Sequence, residues 1–321
     1  MDDSPDETLL KVFGSVFFVV SSLALYFEFS VLIAVFRLLK KSEQFLLIFS
    51  QNIAEVLTTS QLVWLSVEII LQKTTGLPHK VESLILRASW YPETLHYILI
   101  AINRSHSIVF PLARHDSWSR KNLTIFAVSA WLIGWGLDFY ITLGIPSDDL
   151  ANFGHDILNV EFGRIDRTKF GADDLLRANL ILYLSTMGFC ALVYSIALGY
   201  LFKGVCIQKN ASLAWQSGDA RMKTRLFIIC FTNFIPFSAM VFFNYVSPPR
   251  TLIGSFFKTL FNILNSVCNS MLLFIFSSWV RKKMPWPFTN CMPNLNPLQS
   301  MGTTIRKDGM TTKRIDGTTV F

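Results

Sequence analysis

The sequence predicts an all-α integral membrane protein, a bundle of seven transmembrane helices with its N-terminus outside the cell and its C-terminus in the cytoplasm. Hydrophobic residues make up 51% of the 321, charged residues only 16%, and mean hydropathy is +0.42, a balance foreign to soluble domains. The few charges gather into short clusters, which divides the chain into apolar stretches of the roughly 20 residues that a helix needs to cross the hydrocarbon. Lysine and arginine crowd alternate loops.

In order, the spans are expected near Leu10–Phe36, Phe45–Leu71, Leu84–Leu112, Leu123–Leu143, Leu175–Phe202, Leu226–Val246 and Leu252–Val280. Met1–Glu7 is acidic, whereas a cleavable signal peptide begins with basic residues, so the first run is expected to be a retained helix. Glu55 and Glu68 interrupt the second span, and Arg87, Pro92 and Glu93 the third. Within the last three spans, Ala178–Phe202, Leu226–Val246 and Thr259–Val280 carry no charge. Pro92 and Pro236 each remove a backbone hydrogen bond and are expected to kink their helices.

Direction follows from the retention of Lys and Arg on the cytoplasmic side. One set of loops holds Arg37, Lys40 and Lys41, then Arg104, Arg114, Arg120 and Lys121, then Lys203, Lys209, Arg221, Lys223 and Arg225, and finally Arg281, Lys282 and Lys283. The opposite side holds fewer: Lys11, Lys73, Lys80, Arg164, Arg167, Lys169 and Arg250. The long outer loop Pro146–Asp174 is acidic, which fits a solvated loop and also attraction of cationic ligands. The net charge of +7 is divided among segments that the spans hold apart, so it fits a lipid bilayer surface and not nucleic acid. The five cysteines, Cys190, Cys206, Cys230, Cys268 and Cys291, contain no CxxC pair, and neither disulfide, metal nor cofactor is expected. Three N-x-S/T matches, at Asn103, Asn122 and Asn210, fall on the cytoplasmic side and read as chance. A proline-rich tail then mixes Thr, Gly, Lys and Arg; it is expected to be disordered, with Thr303, Thr304, Thr311 and Thr312 open to phosphorylation or present for solubility.

Ionisable groups inside a span cost about 2.5–3.5 kcal/mol on insertion scales, so they are expected to face the bundle interior. Glu93, Tyr97 and Arg104 fall within roughly 20° of one line on the third helix. Glu93 would lie about 16 Å from Arg104 along that axis, with the arginine at the cytoplasmic mouth and Trp90 and Tyr91 on the outer half. Glu28, Glu55, Asn265 and Asn269 form a second set, read either as interhelical glue worth about 0.6 kcal/mol per bond or as a switch.

At the end of the third span, Asn103-Arg104-Ser105-His106-Ser107-Ile108-Val109-Phe110-Pro111 resembles the D/E-R-Y-x-x-I-x-x-P signature of rhodopsin-like G-protein-coupled receptors. Asn103 replaces the acid and Ser105 the tyrosine. Glu28, Glu55, Trp131 and Pro236 fall at landmarks of the first, second, fourth and sixth spans. Asn265-Ser266-Val267-Cys268-Asn269-Ser270 resembles the seventh-span N-S-x-x-N-P motif, with serine for proline. The wording around Ile98–Pro111, with Ser50-Gln51-Asn52-Ile53-Ala54-Glu55, is most similar to the nematode chemoreceptors called serpentine receptor class x. Cysteines for the usual outer disulfide are missing.

The resemblance implies a plasma-membrane chemosensory receptor, of the kind found in sensory cilia, that binds a small extracellular molecule and activates a heterotrimeric G protein. Asn103, Arg104, Arg114, Arg221, Lys223 and Arg225 would face the G protein, although positive-inside retention explains the basic rim equally well. Glu68, Trp90, Tyr91, Glu93 and Asn244 would line the ligand pocket, and Glu28, Glu55, Pro236, Asn265 and Asn269 would form the intramembrane switch. The expected divisions are a short acidic extracellular N-terminus (1–9), the receptor domain (10–283) and a disordered basic cytoplasmic tail (284–321). An ion channel or transporter lined by the intramembrane acids is the competing class, weakened by the lack of an inverted repeat. Enzyme chemistry is not expected, because the five histidines have no metal-ligand spacing and no nucleophile motif occurs. Lys258, the one candidate for an opsin-like Schiff base, lies too near the outer end of the seventh span.

Overall fold

The computed structural model describes residues 7–40, 42–43, 45–73, 81, 84–85, 88–109, 118–144, 172–207, 218–243 and 252–285. Among them run α1 (Glu7–Leu38), α2 (Phe45–Leu71), α3 (Trp90–Val109), α4 (Arg120–Gly144), α5 (Ala172–Ile207), α6 (Gly218–Val241), α7 (Leu252–Phe276) and the short α8 (Ser278–Arg281). The tail beyond Pro285, most of the acidic loop, Arg114 and Asn244 lie outside the described residues.

Apart from the central α3, the long helices bury one stripe and offer the other to lipid. In α1 the inward positions Leu10, Gly14, Phe17, Ser21, Ala24, Glu28, Val31, Val35 and Leu38 alternate in steps of four and three, one face of a helix. Val12, Val16, Val19, Leu23 and Tyr26 are exposed on the opposite face, where hydrocarbon is a suitable solvent. Among the described residues, five helices are long and apolar enough to span a membrane: α1, α2, α4, α5 and α7. The described apolar run of α6 is the shorter Phe231–Val241. α3 tolerates its polar residues because it packs against α2, α4, α5 and α6 at once and so meets protein where the others meet lipid.

Several boundaries depart from expectation. α1 begins at Glu7, inside the segment expected to be the acidic N-terminus. α3 starts at Trp90 and not at Leu84, after a turn at Ala88 and Ser89. Pro92 therefore occupies the first turn, where no intrahelical acceptor is available to an N–H, and it removes no bond from α3. Ala172–Asp174, the end of the expected acidic loop, opens α5. The last span stops at Phe276: Ser277 leaves the helix at φ −102°, its side chain accepts from the Val280 N–H, and α8 follows. Arg281 turns back to donate to the carbonyls of Phe274 and Ile275, satisfying groups that the end of α7 leaves orphaned. Arg37 of α1 donates to the Lys283 carbonyl at 2.9 Å, which fastens the segment after α8 to the first helix.

Two glycines permit the closest crossings. A Cβ on Gly14 of α1 would lie 2.8 Å from Ile69 Cγ2 of α2. A Cβ on Gly134 of α4 would lie 2.5 Å from Pro92 Cδ and 2.6 Å from Pro92 N, a ring and a backbone that cannot turn aside. Gly136, two residues on, faces open space, with nothing within 4 Å of where its Cβ would stand. Gly134→Ala is expected to destabilise the bundle by about 1–3 kcal/mol through overpacking, whereas Gly136→Ala is expected to be neutral or stabilising by up to about 1 kcal/mol through helix propensity. Thermal unfolding of the two variants in detergent checks this; equal midpoints would contradict the close α3–α4 approach.

Candidate functional site

α2 presents two polar stripes, and they organise the centre of the bundle. Ser50, Thr58 and Gln61 lie on one side toward α3; Asn52, Glu55 and Thr59 lie on the other, toward α1 and α7. Nearly all of these groups are buried where no bilayer water reaches, so each needs a protein partner.

On the α1/α7 side, the Thr59 hydroxyl donates to Glu28 Oε1 at 3.0 Å and lies 2.9 Å from the Ser266 hydroxyl of α7. Ser266 Oγ is also 3.4 Å from the Glu55 carbonyl. One turn along α7, the Asn269 amide donates to both carboxyl oxygens of Glu55, at 3.0 and 3.2 Å, and lies 3.0 Å from the Asn52 side-chain amide. Glu28 and Glu55 are thus drawn into one cluster that joins α1, α2 and α7. On the α3 side, the Thr58 hydroxyl reaches Glu93 Oε2 at 3.1 Å and Ser89 Oγ at 2.9 Å. Ser89 in turn donates to Gln61 Oε1 at 3.3 Å, and Gln61 Nε2 donates to the Ile85 carbonyl at 2.7 Å.

Ser50 joins three helices. His96 Nδ1 lies 2.7 Å from the Pro92 carbonyl, an acceptor only, so that nitrogen carries the proton. Nε2, 2.8 Å from Ser50 Oγ, then accepts from the serine, and Trp131 Nε1 of α4 donates to the same oxygen at 3.0 Å. With that tautomer all these groups are satisfied at once.

Beside the two stripes opens a cavity with about 720 Å³ of atom-free space, counted out to its mouth. It is lined by Thr58, Gln61, Leu62 and Leu65 of α2, Trp90, Glu93 and Thr94 of α3, Tyr183 of α5, Phe237 and Met240 of α6, and Asn262, Asn265 and Ser266 of α7. Apolar walls with a few convergent polar groups are the usual make-up of a small-molecule site. Ser266 belongs both to the cavity wall and to the α2–α7 cluster, so the two are contiguous.

Of the residues that the sequence suggests for a ligand, Trp90 and Glu93 line this cavity. Tyr91 is buried elsewhere, and Glu68 accepts from the Trp64 indole at 3.2 Å without reaching the cavity. Pro236 lies inside α6, next to the cavity-lining Phe237. The stripe of Glu93, Tyr97 and Arg104 is buried throughout, and Tyr97 stacks on Phe237 at 4.5 Å. Arg104 is 1% exposed, on a central helix that runs five residues further, to Val109. Asn103 is buried beside it, and Ser105 donates to the Val193 carbonyl of α5 at 3.2 Å. Arg221, Lys223 and Arg225 lie in the opening turns of α6, where only the backbone is described.

Sequence reasoning passes over Thr58, Thr59, Ser266, and the pair of Ser50 and His96. The signal is present in α2, where Ser50, Gln51, Asn52, Glu55, Thr58, Thr59, Ser60 and Gln61 crowd into a membrane span. Thr59→Val keeps the shape but strands Glu28 and Ser266, and is expected to cost about 1–3 kcal/mol; Thr59→Ser keeps the hydroxyl and is expected to cost less. Thermal unfolding of purified protein ranks the two, and the reverse order would remove Thr59 from its central role.

No curated protein matches the chain. The family described as serpentine type 7TM GPCR chemoreceptor Srx matches residues 18–277, from the first half of α1 to the end of α7. With seven long helices among the described residues, packed as a membrane bundle across that same stretch, the chain belongs to the Srx family of serpentine seven-transmembrane chemoreceptors.

Proposed function

We propose that this chemoreceptor binds a small extracellular molecule in the α2–α3–α7 cavity and passes the signal to a heterotrimeric G protein at the opposite end of α3. The observation that carries this reading is the contiguity of cavity and polar cluster through Ser266 and Thr59. A ligand touching Ser266 and Glu93 contacts two of the groups whose bonds set α7 and α3 against α2. A molecule that prefers one arrangement of those bonds shifts the population toward it. Ligand binding cannot shift the equilibrium by more than its differential affinity for the two arrangements.

At the far end of α3, Asn103 and Arg104 would respond to the shift, with the basic groups Arg114, Arg221, Lys223 and Arg225 forming the cytoplasmic rim. Asn103 has no charge with which to hold Arg104, so the pairing with an adjacent acid is missing here. Glu28, Glu55, Asn265, Asn269 and Pro236 would carry the change between the ends. The orientation that this requires is the one marked by the basic loops, with the N-terminus outside, in the plasma membrane and, by the family's chemosensory character, in a sensory cilium. The competing channel reading finds less support, since Glu28, Glu55 and Glu93 each accept side-chain hydrogen bonds from neighbouring helices.

Two outcomes are expected in transfected cells. An N-terminal epitope is accessible to antibody on intact cells, while a C-terminal one is stained only after permeabilisation; the inverse pattern would overturn the orientation. In a reporter screen of small volatile and soluble compounds, Arg104→Ala abolishes the G-protein response to any activating compound at unchanged surface staining. Undiminished signalling by that variant would sink the assignment of Arg104.

A further inference from the structure

We propose that the cavity takes a small primary amine with an apolar body, its ammonium held by the Glu93 carboxyl and the Asn265 side-chain carbonyl. This rests on the reading of the cavity as the ligand site and names the chemistry of its occupant.

Several acceptors in and beside the lining are under-used. Glu93 receives one hydroxyl, that of Thr58. Asn265 is 5% exposed and its Oδ1 has no hydrogen-bond partner among the described residues. Deeper in the cluster, Glu28 Oε2 is a second buried acceptor without one. Against this, Gln61 uses its amide N–H on the Ile85 carbonyl and its oxygen on Ser89. A buried acceptor left unmet is costly, so an occupant that brings donors is favoured.

A primary ammonium brings three N–H donors and a charge opposite to a carboxylate. An alcohol supplies one donor, and a carboxylate would set its own oxygens against Glu93 and Asn265. Lys258 of α7 is buried on the same face but does not line the cavity. It stands seven positions from Asn265, about 10 Å along the helix, and charge interactions fall with distance, so contact with Glu93 outweighs it. Leu62, Leu65, Trp90 and Phe237 would cover the apolar body.

The test uses the full chain in lipid nanodiscs, empty nanodiscs as blank, and three matched probes: benzylamine, benzyl alcohol and benzoate. Direct binding is measured without G protein. Benzylamine is expected to bind about tenfold or more tightly than benzyl alcohol, with benzoate weakest. Glu93→Gln, which keeps shape and the acceptor for Thr58, and Asn265→Leu are each expected to weaken benzylamine about tenfold while changing benzyl alcohol by less than about twofold. Wild-type amine affinity in both variants, alcohol or benzoate matching the amine, or benzylamine binding no better than to empty nanodiscs would overturn the proposal. Alcohol binding that disappears in Phe237→Ala would keep the cavity as the ligand site while removing the amine. Amine binding through Glu93 without nucleotide exchange on a G protein would uphold the proposal and count against the signalling reading alone.

Discussion

Inside the hydrocarbon a polar side chain finds no water, and the whole arrangement of this bundle answers that condition. α2 carries polar residues on two sides and so cannot turn either side to lipid. It sits between α3 on one flank and α1 with α7 on the other, and its threonines meet the Glu93 and Glu28 carboxyl groups and the Ser266 hydroxyl that those helices bring. The rotation of four helices about their axes is then set by a few short contacts. The apolar stripes complete the packing, but they are interchangeable in a way that Thr58 and Thr59 are not. Hydrophobic contact distinguishes poorly between one apolar neighbour and another, and lipid tails compete for the same surfaces.

The periodicity of apolar residues is enough to find α1, α2, α4, α5 and α7, because a span facing lipid declares itself by composition. The inward stripe of Glu93, Tyr97 and Arg104 is legible for the same reason, since angular position on a helix follows from spacing alone. Ends are less legible. α7 stops at Phe276 although the apolar run continues to Val280, because the Ser277 cap and the Arg281 side chain end the helix by hydrogen bonding that hydropathy does not register. How completely Arg104 is enclosed is hidden for a related reason: distance along one helix says nothing of how far its neighbours extend around it.

Partners are the least legible. Glu28, Glu55 and Asn269 stand out as polar groups in apolar spans, but nothing in linear spacing pairs Thr59 with Glu28, or Ser50 with both His96 and Trp131. Those pairings depend on how close two helices come, and that is decided by Gly14 and Gly134. A residue that contributes no side chain thus determines which side chains can meet. The cavity likewise belongs to no single helix, and among its walls only Trp90 and Glu93 stand out in the sequence as ligand residues.

The seam between α5 and α6 is made differently from the rest. Tyr194 of α5 meets Phe227, Phe231 and Phe234 of α6 ring to ring, at centroid distances of 5.6, 6.0 and 6.2 Å. An aromatic seam can slip or part and lose only contacts that acyl chains replace in kind, whereas parting α2 from α7 would leave Glu55 and Asn269 with no partner. The bundle therefore has a bolted side and a greased side. Any motion of low cost passes along the greased one, and the lipid that enters the gap becomes a participant in it.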